Sequence, residues 1–166
     1  MTNVYPVNKD DIPKNIFTSR VEYISWYTVG MRSINESLDE NKHIGSGTLI
    51  DIEGHKGILT ARHVIHCLKD SEKIGLNLSP KLHSYEIEKR YVEIINVQGD
   101  SIESKNLDLS VIIIPDNLLG SLRAYKSFFN ISIKRNDILQ NGVIINDGIW
   151  ALCGFPGEFE TSEEPQ

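Results

Sequence analysis

The sequence predicts an all-β chain folded as an antiparallel β-barrel, and three observations point there. Segments rich in β-branched and aromatic residues recur along its 166 residues, several alternating apolar and polar side chains. Turn-forming residues punctuate them at short intervals, at Ser79-Pro80, Gly99-Asp100, Pro115-Asp116-Asn117, Asn141-Gly142 and Asp147-Gly148. No long amphipathic helices lie between the strands, as an α/β fold would require. With 40% hydrophobic residues, the chain can build one ordinary core, or one small barrel and the beginning of another.

The elements follow in order. Residues 21–29 (VEYISWYTV) read as the first strand, and the polar stretch 32–43 as a connection carrying a turn or a frayed edge. Residues 44–51 read as the second strand. The turn signal EGHKG leads into a third at 56–60, and 61–68 has the composition of two helical turns. Further strands are expected at 74–78, 84–97, 109–114, 142–145 and 150–153, with 118–129 adding a helix or an irregular excursion. Neither a repeat nor a flexible linker divides the chain, so a single domain over 1–166 is expected.

Charge narrows the partners. The net charge is −6 with acids and bases interspersed, and the only notable run is the tail Glu158, Glu160, Glu163 and Glu164. That pattern suits neither nucleic acid nor an anionic membrane surface. No apolar run has the length of a signal-peptide core or a membrane span. The two cysteines, Cys67 and Cys153, fall in segments assigned to different layers, so reduced thiols and a cytoplasmic setting are expected.

His63 is the first candidate for chemistry. A general base needs a fixed place on a rigid element, one ring nitrogen facing the reacting group and the other held by an acceptor. The junction of strand 57–60 and helix 61–68 offers that place. Asp108 is the second, a carboxylate directly ahead of the strand LSVIII. Judged alone, His63 is an ordinary structural histidine and Asp108 a turn aspartate.

The surrounding motifs change that reading. ILTARHVI around His63 resembles the hydrophobic-hydrophobic-Thr-Ala-x-His segment of chymotrypsin-like serine proteases, and GSGTLI upstream resembles the strand that precedes it. Asp108-Leu109-Ser110-Val111-Ile112 resembles the family's Asp-hydrophobic-Ala/Ser-hydrophobic-hydrophobic pattern. WALCGFPG at 150–157 is similar to the strand that opens the second barrel in many bacterial relatives. Arg62 departs from the small residue often found before the histidine.

This resemblance implies a chymotrypsin-like fold, with a first barrel at about 21–114 and the truncated start of a second at about 142–166. It implies peptide-bond hydrolysis through an acyl-enzyme on a peptide or protein substrate. His63 would serve as general base and then acid, with Asp108 as its buried orienting partner. No cofactor or metal is expected, and the oligomeric state stays open.

The family's nucleophile motif, Gly-x-Ser-Gly-Gly, does not occur. Ser162 lacks flanking glycines and sits among carboxylates that would oppose an oxyanion, so it is rejected as nucleophile. Cys153, in CGFP, and Ser110 read as small packed residues. The expectation is therefore a truncated endopeptidase, the alternative being a non-catalytic protease-like binding or regulatory module. His63, His66 and Cys67 could present two nitrogens and a sulfur along one helix face, but no second pair completes a zinc site. His66 reads as helix surface and Cys67 as its core-facing residue, with His43, His55 and His83 solvated.

Overall fold

The computed structural model describes residues 12–79, 83–97 and 107–141. Helix α1 (Lys14–Ser25) leads into strands β1 (Thr28–Asn35), β2 (Glu40–Ile52) and β3 (His55–Thr60), then helix α2 (Arg62–His66). Strands β4 (Lys73–Asn77), β5 (Ser84–Glu88), β6 (Glu93–Asn96) and β7 (Ser110–Ile113) follow, then α3 (Gly120–Tyr125), β8 (Phe129–Asn130) and α4 (Ile131–Asn141).

Strands β1 to β7 make one antiparallel sheet in the order β5-β4-β1-β2-β3-β7-β6. Laid flat, seven strands at about 4.8 Å spacing would hold β5 and β6 about 29 Å apart. Yet Glu88 and Glu93 are separated by only four residues (93 − 88 − 1), three of them in the 3-10 turn Lys89–Tyr91. Such a connection spans at most about 17 Å, so the sheet must curl. The result is an antiparallel half-barrel.

Period-two alternation supplies its interior. Val29 and Met31 from β1, Leu49 from β2, Ile58 from β3, Ile74 and Leu76 from β4, Ile87 from β5 and Ile112 from β7 are buried together. Val64, Ile65 and Leu68 from the α2 segment and Leu119 and Leu122 from the α3 region pack against them. Each such side chain contributes about 1.5–3 kcal/mol.

The β2–β3 hairpin closes through Glu53 and Gly54, both at positive φ (52° and 92°), the geometry of a two-residue type I′ turn. Asp51 accepts the Gly54 N–H at 2.9 Å and the Lys56 ammonium at 2.7 Å. Lys56, with help from that amide, holds the Asp51 carboxyl below its ordinary range although desolvation opposes it.

Several expectations need correction. Residues 21–25 belong to helix α1, and the strand expected from Val21 begins only at Thr28. Pro13 opens the helix, its carbonyl accepting the Ile16 and Phe17 amides at 2.9 and 3.0 Å. A strand starting at Val21 would need an edge to pair with. β1 pairs β2 only as far as Thr48, and the edge beyond is occupied by β8 in parallel, Ile50 opposite Phe129 and Asp51 opposite Asn130.

The polar stretch 32–43 is mostly ladder: β1 runs to Asn35, a 3-10 turn covers Glu36–Leu38, and β2 starts at Glu40. Helix α4, unexpected from sequence, starts where Asn130 Oδ1 accepts the Ile133 amide at 3.0 Å. The strands expected at 142–145 and 150–153, and hence the start of a second barrel, lie outside the described residues. Among the described residues no helix is long and apolar enough to cross a membrane.

Candidate functional site

The site is built at the end of β3. Thr60, 5% exposed, closes the strand and donates its hydroxyl to the Ser46 carbonyl at 2.8 Å. Ala61 is extended, and α2 turns immediately after it. The helix has five residues, too few to persist by propensity alone. Burial of Val64, Ile65 and Leu68 holds it on the barrel, and the Lys89 ammonium reaches the Leu68 and Lys69 carbonyls at 2.5 and 2.6 Å.

Two glycines let that helix settle. Register slips between Met31 and Arg32, which pair Gly45 and His43, so Ile44 is the extra residue of a bulge. Gly45 lies there at φ +150°, where a Cβ would stand 2.8 Å from Val64 Cγ2. At Gly47 a Cβ would stand 2.3 Å from Ile58 Cγ2. The GSG of the sequence is thus the space into which the histidine-bearing helix and the strand beside it pack.

Asp108 arrives through strand register. Thr60 pairs Ser110 across β3 and β7, so continuing the antiparallel register by two positions sets residue 108 opposite residue 62. Its carboxylate grips His63 twice: Oδ1 accepts the His63 backbone N–H at 2.9 Å, and Oδ2 meets ring Nδ1 at 2.5 Å. Helix α2 has no side-chain cap from its own preceding residue, so Asp108 supplies the acceptor for its first turn.

The His63 ring bond, then the His63 amide, hold the Asp108 carboxyl below its ordinary range, with smaller help from the imidazole charge and the Arg62 amide, while desolvation opposes them. An ionised carboxylate only accepts hydrogen bonds, so Nδ1 carries a proton, and whenever the ring is neutral Nε2 is the nitrogen with the lone pair. Chemically, the arrangement can take a proton at Nε2 and balance the resulting charge at Asp108.

The expected burial of Asp108 is not found. The His63 and Asp108 side chains are 71% and 53% exposed. The pair stands on an open face of the half-barrel, where water screens it and the ion pair adds little to stability.

The other candidates separate from it. Cys67, expected in the core, is exposed, because Val64, Ile65 and Leu68 define the buried side and Cys67 lies roughly 100° away from its centre. Its thiol donates to the His63 carbonyl at 3.5 Å. His66 is exposed, and among the described residues no three His, Cys, Asp or Glu side chains are grouped to hold a metal. His83 packs its ring against Tyr125, centroids 5.0 Å apart. Ser110 is fully buried and donates to Asn96 Oδ1 at 2.7 Å. Cys153, Ser162 and the WALCGFPG segment lie outside the described residues.

One contributor was not anticipated. Arg62, treated in the sequence as a minor departure, extends its guanidinium to the Val97 carbonyl at 2.9 Å, tying α2 to the end of β6. Its size at a position resembling one usually filled by a small residue was the available signal. Comparison with models of known protein families, with curated proteins and with solved structures returned no match.

Proposed function

We propose that the half-barrel is the first barrel of a chymotrypsin-like fold and that His63 and Asp108 are the proton-transferring pair of a serine endopeptidase. The observation that carries this reading is the double grip of Asp108 on His63, which fixes the tautomer and leaves Nε2 open. A serine hydroxyl would attack the peptide carbonyl while its proton passes to Nε2. The same proton would then go to the leaving amine, and water would release the acyl group by the reverse sequence. Asp108 stays ionised throughout. The 166 residues contain no Gly-x-Ser-Gly-Gly, so the reading assigns base and orienting acid to this chain and leaves the nucleophile to a serine outside them. A cytoplasmic setting with a peptide or protein substrate belongs to the same proposal.

That missing motif favours the second reading, a protease-like module that binds without cleaving. Protein translated from the whole natural reading frame separates the two. Incubated with a mixed peptide library, it should cleave, Asp108→Asn should lose about 10⁴-fold by favouring the wrong tautomer, and His63→Ala should be as inert. No cleavage by the wild type, with a captured partner held equally by His63→Ala, would overturn the endopeptidase reading in favour of the module.

A further inference from the structure

We propose that Arg62 is a positioning residue for the His63–Asp108 pair, acting through the Val97 carbonyl. The inference rests on reading that pair as a proton-transfer unit. Asp108 is held toward α2 only as well as the start of β7 is held. Leu109, the next residue, accepts the Val97 N–H at 3.0 Å, one rung beyond the pairing of Asn96 with Ser110. Arg62 Nη2 donates to the carbonyl of the same Val97 at 2.9 Å. Inside, Ser110 fixes Asn96 at 2.7 Å. The guanidinium therefore ties α2 to the end of β6, the Asp108 carboxylate ties the start of β7 to α2, and the rung between Val97 and Leu109 joins the two strands.

A purely packing role would not need a guanidinium. The Arg62 Nε is buried with no hydrogen-bond partner among the described residues, and enclosing an unpaired donor is unfavourable. A methionine would cover the same surface without that penalty. What arginine alone provides is a rigid, always charged donor fork, long enough to reach a main-chain carbonyl.

The test reads the pair directly. In the full chain, cooled to slow proton exchange with water at this 71%-exposed ring, proton NMR should show the His63 Nδ1–H as a far-downfield resonance that disappears in Asp108→Ala. In Arg62→Met its exchange should quicken by about tenfold or more, the effect of losing one charge-assisted hydrogen bond, and beyond any change in global unfolding measured in urea. Arg62→Lys, which keeps a donor, should restore part of the protection. An exchange rate in Arg62→Met equal to that of the wild type would overturn the role of Arg62 alone. A wild type without the resonance would overturn the pair itself and this inference with it. If Arg62→Met fails to fold, Arg62→Lys decides: a resonance still present but exchanging faster than in wild type supports the role, and a rate equal to wild type rejects it.

Discussion

Replacing Gly45 by alanine tests how the histidine-bearing helix is seated, because two separate penalties meet at that position. At φ +150° a side chain is strained, which costs about 1–3 kcal/mol. The new Cβ would also stand 2.8 Å from Cγ2 of Val64, itself only 4% exposed, and overpacking of that kind costs about 1–3 kcal/mol more. Two other glycines separate the contributions. Gly54 has φ +92° but open space around a built Cβ, so Gly54→Ala should lose the strain portion alone. Gly120 has neither problem, and Gly120→Ala at the start of α3 should be neutral or stabilising by about 0.5–1 kcal/mol. In urea denaturation at neutral pH, Gly45→Ala should therefore fall about 1–3 kcal/mol below Gly54→Ala. For a chain of this size each kcal/mol corresponds to about 2–4 °C in Tm. Gly45→Ala no less stable than Gly54→Ala would mean that Val64 does not press on this bulge, and the account of how His63 is placed would fail.

Other perturbations follow from the same geometry. Asp108 is held below the ordinary carboxylate range, so its stabilising effect is complete above the unfolded value of about 3.9 and is lost as pH falls through the lowered folded value; between pH 6 and pH 3 the wild type should lose more stability in urea than Asp108→Asn does. Lys126, 8% exposed, donates to the Ser25 and Thr28 carbonyls at 2.7 and 2.8 Å, so Lys126→Met should destabilise by about 1–3 kcal/mol in the same assay. Asp51 and Lys56 face each other across the hairpin with side chains 16% and 17% exposed, and a double-mutant cycle with Asp51→Asn and Lys56→Met should give a favourable coupling at pH 7 that vanishes once the pH falls below the lowered Asp51 value.

The sequence disclosed the strands that alternate, the EGHKG turn between β2 and β3 and the turn after Pro115, whereas the turn signals at Gly99-Asp100 and Asp147-Gly148 lie outside the described residues. The stretches 44–51, 56–60, 74–78 and 109–114 lie close to β2, β3, β4 and β7, because each carries its own periodicity and boundary signals. Residues 21–25 misled because β-branched and aromatic residues suit a strand only where an edge is free to receive it, and the edge of β2 beyond Thr48 is taken by β8. Helix α4 was missed because its cap at Asn130 is a single side chain in a mainly polar stretch.

At the candidate site, the proximity of His63 and Asp108 was legible from motif resemblance, but the physical cause lies in register: Thr60 opposite Ser110 carries Asp108 to the start of α2. Exposure of the pair was not legible, since it depends on what covers the open face. Nor was the role of Arg62, whose partner, the Val97 carbonyl, is a main-chain atom 35 residues away.

The most direct measurement is labelling of the protein, translated from its whole natural reading frame, with a serine-directed fluorophosphonate. One serine should be labelled, with labelling abolished in His63→Ala and strongly reduced in Asp108→Asn. Labelling that persists in His63→Ala, or none in the wild type, would contradict the assignment of His63 and Asp108 as the proton-transferring pair of a serine endopeptidase.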